Sequence, residues 1–303
     1  MADALLLDGI EKTYDQVRAV DTLHLAVPQG SVYGLLGPNG AGKTTTIRMI
    51  LDIIRPDAGR ILVFGEDDPE MRRKRISYLP EERGLYRKMK VRELVLYIAR
   101  LRGMDSAEAR KRSDYWFQRF DLTAFADAKL EALSKGMGQK VQFIATILHR
   151  PDVLILDEPF SGLDPVNVEL VKEVMQEVHR EGATILFSTH QMDTVERLCD
   201  AICLINHGKK VLEGSVGDVR RKHGTNSIQI EYEGVAKFLA DRSLIASVDD
   251  TGRYAELTPA PGVETQRILE AAVREVRVRR FEVMEPSLHR IFVDTVRGMS
   301  AGA

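Results

Sequence analysis

The chain has 303 residues, 44% hydrophobic and 29% charged, with a formal net charge of −2. Those values describe a globular chain long enough for two domains, or for one large domain with an appendage, and they exclude a global field toward nucleic acid or an anionic membrane. Cys199 and Cys203 are too few for a disulfide framework and read as reduced, semi-buried thiols of a cytosolic protein.

The N-terminus, MADALLLDGIEK, has no basic start followed by an apolar core, so no signal peptide is expected. No stretch approaches the ~18–20 apolar residues that span a bilayer. SVYGLL, Ser31–Leu36, reads as a strand, and a helix is expected over Thr45–Ile54 with Ile47, Ile50, Leu51 and Ile54 on one face. Between them GPNGAGKT, Gly37–Thr44, fits the phosphate loop G-x-x-x-x-G-K-[ST]. In such a loop the backbone N–H groups of Gly37, Pro38, Asn39, Gly40, Ala41, Gly42, Lys43, Thr44 and Thr45, proline excepted, wrap a nucleotide's phosphates. Lys43 reaches the β- and γ-phosphates, and the Thr44 hydroxyl ligates Mg²⁺.

Further along, Arg72-Arg73-Lys74-Arg75 reads as a solvated basic face. VRELVLYIARLRG carries apolar Val91, Leu94, Val95, Ile98 and Leu101 and closes at Gly103; Ser106 then caps a second helix holding Trp116 and Phe117 as core residues. LSKGMGQK, residues 133–140, is Gly-rich and stands where a new helix starts, which suits either an anion contact or a plain cap. VLILDEP, Val153–Pro159, is a strand buried on both faces and ending in two carboxylates. Asp157 suits a water-mediated Mg²⁺ contact, and Glu158 is placed to polarise an attacking water. In FSGLDPVNVELVKEVMQEVHREG, Asp164 is the N-cap, Pro165 the first helical residue and Gly182 the C-cap, with Val171, Val174, Met175 and Val178 as the apolar stripe. ATILFSTH is another buried strand, and His190 at its end is a candidate γ-phosphate contact.

From Gly224 the motifs end. NSIQIEYE, SLIASVD, RYAELTP and REVRVRRFEVM read as strands, with helical VAKFLADR and VETQRILEAAV between them. That order predicts a small ferredoxin-like α+β appendage. Arg277, Arg279 and Arg280 alternate with Val276 and Val278, the pattern of a solvent-facing strand edge. A last helix starts near Pro286, with Leu288, Ile291, Phe292 and Thr295 on one face.

Taken together, GPNGAGKTT, VLILDE, SGLD and FSTH resemble, in order and over about residues 4–215, the ATP-binding subunits of ABC transporters. The resemblance implies an α/β P-loop NTPase cassette over 1–223: a RecA-like core, an antiparallel β edge, and a helical subdomain about 83–150 that docks the membrane partner. Residues 224–303 form the α+β accessory domain. Tyr14 matches the aromatic residue that stacks on adenine. LSKGMGQK falls where the LSGGQ signature belongs, with Lys135 and Met137 as departures and Ser134 and Gly136 kept. YLPEERGLY falls on the Q-loop, with Glu81 in the glutamine's place and still offering oxygen to Mg²⁺. Leu85 and Tyr86 are candidates either for partner contact or for core. The modified signature, LPEERGLY and EPSLHRIF are similar to the subgroup serving ABC-2-type exporters, including the sodium-efflux type.

The implied cofactors are ATP and Mg²⁺. The implied partners are an integral-membrane permease on a separate chain and a second ATPase subunit packed head to tail, each signature capping ATP held by the other P-loop. No nucleic-acid partner is expected, and the implied location is the cytoplasmic face of the cell membrane. Two other classes fit the bare P-loop: a soluble ABC-type ATPase acting on nucleic acid or ribosomes, and a P-loop small-molecule kinase.

Overall fold

The computed structural model describes residues 2–81, 84, 88–223, 227–284 and 287–301. The chain divides into two compact units, Met1–Ser215 and Val216–Ala303.

In the first unit, β1 (Asp3–Tyr14) and β2 (Val17–Pro28) form an antiparallel hairpin. Leu5, Leu7, Leu23, Leu25 and Val27 are buried at alternating positions, as one covered sheet face requires. β3 (Val32–Leu36) is buried at every position and leads through the phosphate loop into α1 (Lys43–Ile50). β4 (Ala58–Val63) returns antiparallel to β1, completing a three-stranded sheet β2–β1–β4. α2 (Pro69–Arg75), capped by the Asp68 carboxylate, leads into β5 (Ile76–Leu79). Then come α3 (Val91–Leu101), α4 (Ser106–Arg119) and α5 (Lys135–Ile147), which pack on one another around Trp116, Phe120 and Phe143.

The chain re-enters the core with β6 (Val153–Asp157), α6 (Pro165–Arg180), β7 (Thr184–Thr189), α7 (Met192–Leu198), β8 (Ala201–Asn206) and β9 (Lys209–Ser215). The six-stranded sheet runs β5–β6–β7–β3–β8–β9, parallel except for the antiparallel β8–β9 pair. β6, β7 and β3 are neighbours, so the segments after their carboxyl ends converge. That crevice is where open α/β sheets bind ligands.

The second unit comprises α8 (Val216–His223), β10 (Ser227–Glu233), β11 (Ile245–Asp250), β12 (Tyr254–Pro259), α9 (Thr265–Glu275), β13 (Arg277–Met284) and α10 (Leu288–Ala301). Its sheet runs β11–β12–β10–β13 with every neighbour antiparallel, which is the ferredoxin-like strand order. A separate apolar core centres on Ile228, Ile230, Phe238, Leu257 and Ile268. β13 is an edge strand, and its Arg279 and Arg280 pair with Glu233 and Glu282.

Several elements depart from the expectations drawn from sequence. VAKFLADR forms only a 3-10 turn, Lys237–Ala240; adjacent Phe238 and Leu239 are both buried, which one turn achieves, and the Asp241 carboxylate takes the Ser243 N–H to end it. The cap of α4 is Asp105, whose carboxylate accepts from Ala107 and Glu108 N–H, and Ser106 is the first helical residue. α1 stops at Ile50 because Asp52 turns left-handed, φ 57°. Leu101 faces outward at 68% exposed. Arg72 is not part of a solvated face: it is buried, donating to Ile61 O and paired with Asp67. Within the second unit, α8 packs with α10. Leu85, Tyr86 and Pro286 lie outside the described residues.

Candidate active site

The phosphate loop is built so that backbone faces the ligand. Gly42 holds φ 106°, and a Cβ there would stand 2.3 Å from Ala19 O, so glycine is required by both conformation and space. α1 starts directly after it. The N–H groups of Lys43, Thr44 and Thr45 open the helix and have no intrahelical acceptor, which together with the helix dipole makes an anion site. Lys43 is buried, its Nζ donating to Gly37 O at 2.8 Å and Pro38 O at 3.2 Å. Burial pulls its pKa down, opposed by Glu158, Asp157 and Glu81. An ammonium in that setting gains from an arriving polyanion.

Asp157 ends β6 opposite Ser188 of β7. Its Oδ1 accepts from Ser188 Oγ, and its Oδ2 accepts from Thr44 Oγ1 at 3.1 Å. Tyr78 OH stands 3.5 Å from Oδ2, and burial beside Asp157 raises that phenol's pKa. Glu158 adopts φ 46°, the left-handed region that costs a non-glycine residue about 1–2 kcal/mol. Its N–H donates to Ser188 O at 3.2 Å. Its side chain is buried: Oε2 accepts from Thr189 Oγ1 at 3.3 Å, and Oε1 lies 3.0 Å from His190 Nδ1. A carboxylate oxygen only accepts, so Nδ1 carries the ring proton.

A cleft of about 340 Å³ is lined by Asn39, Gly40, Ala41, Gly42, Lys43, Thr44 and Thr45 with Ala19, Glu81, Asp157 and Glu158. The hard oxygens of Thr44, Asp157 and Glu81 there fit a small divalent cation completed by phosphate oxygens. Among the described residues, Tyr14, Ser134 and Gly136 do not line this cleft. Tyr14 sits at the end of β1, 45% exposed, with Lys12 Nζ 5.8 Å from the ring centroid. Ser134 caps α5, its Oγ accepting from Met137 N–H at 3.2 Å. Among the described residues, nothing beyond its chain neighbours and its own helix backbone lies within 4 Å of where a Gly136 Cβ would stand, so that helix start is open. The site partners that sequence reasoning missed are Ser188, Thr189 and Tyr78. The only signal for the first two was their place beside His190 in FSTH.

The comparisons with known proteins agree with this geometry. Residues 20–161 match the family described as ABC transporter, and residues 214–296 match the one described as ATP-binding protein DrrA1-3-like, C-terminal domain. The chain is 44% identical over 292 residues to the ABC transporter ATP-binding protein YhaQ of Bacillus subtilis (strain 168), covering 96% of this chain and 98% of that protein. It is 34% identical over 303 residues to the daunorubicin/doxorubicin resistance ATP-binding protein DrrA of Streptomyces peucetius, covering 96% and 91%. A solved ATP-binding subunit of an ABC transporter superposes with a TM-score of 0.69 at 33% identity, over 72% of this chain and 92% of that one.

Proposed function

The chain belongs to the ABC transporter ATP-binding proteins, and from that premise we propose that it hydrolyses ATP to drive an exporter-type permease carried on a separate chain. The observation that carries the reading is the convergence of Lys43, Asp157, Glu158 and His190 at the ends of three adjacent strands. The exporter direction is supported by likeness over both units to a resistance ATP-binding protein. That likeness favours transport over action on nucleic acid or a kinase reaction. Among the described residues no helix is long and apolar enough to cross a membrane. The proposed location is the cytoplasmic face of the cell membrane, beside the permease.

In this reading Tyr14 stacks on adenine, and the phosphates lie on the N–H groups of Gly40–Thr45. Lys43 exchanges the Gly37 and Pro38 carbonyls for β- and γ-phosphate oxygens. Thr44, Asp157 and Glu81 hold Mg²⁺, which when bound draws charge from the phosphate oxygens. Asp157 keeps its position because Ser188 fixes its other oxygen. Glu158 orients the attacking water and accepts its proton, while His190, anchored through Nδ1, turns Nε2 toward the γ-phosphate. Ser134 and Gly136 complete the site of a second subunit, because their open helix start lies away from the cleft of their own chain.

The test is Glu158→Gln. ATP binding at the P-loop is expected to persist while turnover falls by about a hundredfold or more, with ATP holding the two subunits together. Near-normal turnover in that variant would remove Glu158 from the proposed role.

A further inference from the structure

We propose that Gln139 is a positioning residue that ties the start of α5, and with it Ser134, to the loop that begins at Glu158; the proposal rests on the head-to-tail ATPase reading above. Gln139 sits one turn into α5 and is 4% exposed. Its Nε2 donates to Pro159 O at 3.0 Å and to Ser161 O at 3.1 Å. Two carbonyls only accept, so the amide is fixed with its NH₂ toward the loop; the flipped amide would set three oxygens face to face. The consequence falls on Oε1, which is buried with no hydrogen-bond partner among the described residues. The fold keeps an unmet acceptor in order to hold both carbonyls.

The held loop is the one that sets the catalytic carboxylate. Ser161 N–H donates to Glu158 O at 3.1 Å, and Glu158 N–H donates to Ser188 O at 3.2 Å. Phe160, between the two carbonyls that Gln139 grips, is buried edge-on against Phe187 at 6.1 Å. Glu158 keeps its left-handed backbone between these restraints. β7 fixes one side of the loop, and α5 reaches the other through the Gln139 side chain. In the head-to-tail pair, Ser134 serves the nucleotide of the partner while Glu158 serves the nucleotide of its own chain. A shift of α5 when Ser134 meets a phosphate therefore reaches Glu158 through one helical turn and one amide. Gln139 couples the two composite sites.

The experiment uses the full chain with two substitutions: Gln139→Met keeps volume and removes both donors, and Gln139→Glu keeps shape and removes them while ionised. Both are expected to lower kcat by about tenfold with ATP affinity within about twofold of wild type, a split that places the loss after binding. As pH is lowered, Gln139→Glu regains activity relative to wild type, because the protonated acid donates to one carbonyl again; Gln139→Met shows no such rise. Should Gln139→Met lose ATP binding through misfolding, this pH response decides alone. A cycle of Ser134→Ala with Gln139→Met is expected to cost less than the product of the single losses. Wild-type kcat in Gln139→Met, a Gln139→Glu pH profile parallel to wild type, or fully multiplicative losses would overturn the proposal. A failure of the underlying reading is distinguishable: wild-type activity per chain would then not depend on protein concentration, or Glu158→Gln would still turn over.

Discussion

His190 Nδ1 lies 3.0 Å from Glu158 Oε1, joining the ring at the end of β7 to the carboxylate at the end of β6. Read from sequence, these residues have separate tasks, one on the γ-phosphate and one on the water. The hydrogen bond makes them one unit, because the same contact that orients the ring also fixes the carboxylate. His190→Ala is therefore expected to lower turnover by about a hundredfold, because the proposed general base loses the group that positions it, with ATP affinity nearly unchanged. Steady-state ATPase rates alongside equilibrium nucleotide binding check this, and a loss confined to affinity would speak against it.

Gly136 separates stability from function. It stands in the first turn of α5, and among the described residues a methyl group added there would meet nothing within 4 Å beyond its chain neighbours and its own helix backbone. Gly136→Ala is expected to leave the fold unchanged or up to about 1 kcal/mol more stable, as alanine replaces glycine in a helix. In the proposed head-to-tail pair the added methyl would stand between the helix start and the partner's phosphate, so ATP hydrolysis is expected to fall. Measured on one preparation, the melting temperature should hold or rise while the ATPase rate falls.

His149 gives a pH dependence outside the active site. Its Nε2 is 3.2 Å from Ser77 Oγ, and Nδ1 is buried without a partner among the described residues. Burial pulls its pKa down to about 4, and Arg102, just past the end of α3, and Arg112 of α4 push the same way. The folded state therefore disfavours the charged ring. Its contribution is complete above the ordinary histidine range and is lost as pH falls from about 6.5 toward 4, up to about 3 kcal/mol. Denaturant unfolding across that window should show wild type losing stability faster than His149→Gln; parallel curves would exclude the effect.

Much of the first unit was legible because its chemistry is written in contiguous residues. The loop from Gly37 to Thr45 and the DE pair need only the strand before each of them. What the sequence hid depends on register between distant strands. Ser188 meets Asp157, and Glu158 meets His190, because β6 and β7 are neighbours in parallel register, and no local pattern states that pairing. Gln139 was unreadable for the same reason: its partners are backbone carbonyls of another segment. In the second unit, strand order followed from the element order, while VAKFLADR misled because two adjacent buried residues, Phe238 and Leu239, mimic part of a helical stripe.

The most direct test of composite sites shared between two subunits is a mixing experiment. In the proposed pair, Lys43→Ala would disable a chain's own phosphate loop, and Ser134→Arg would disable the surface it offers to its partner. Each variant alone should be inactive. Mixed, they form pairs in which one site joins an intact Lys43 to an intact Ser134, so ATPase activity should reappear and rise with protein concentration. A mixture as inactive as its components, with both variants folded and Ser134→Arg still binding ATP, would contradict the shared site.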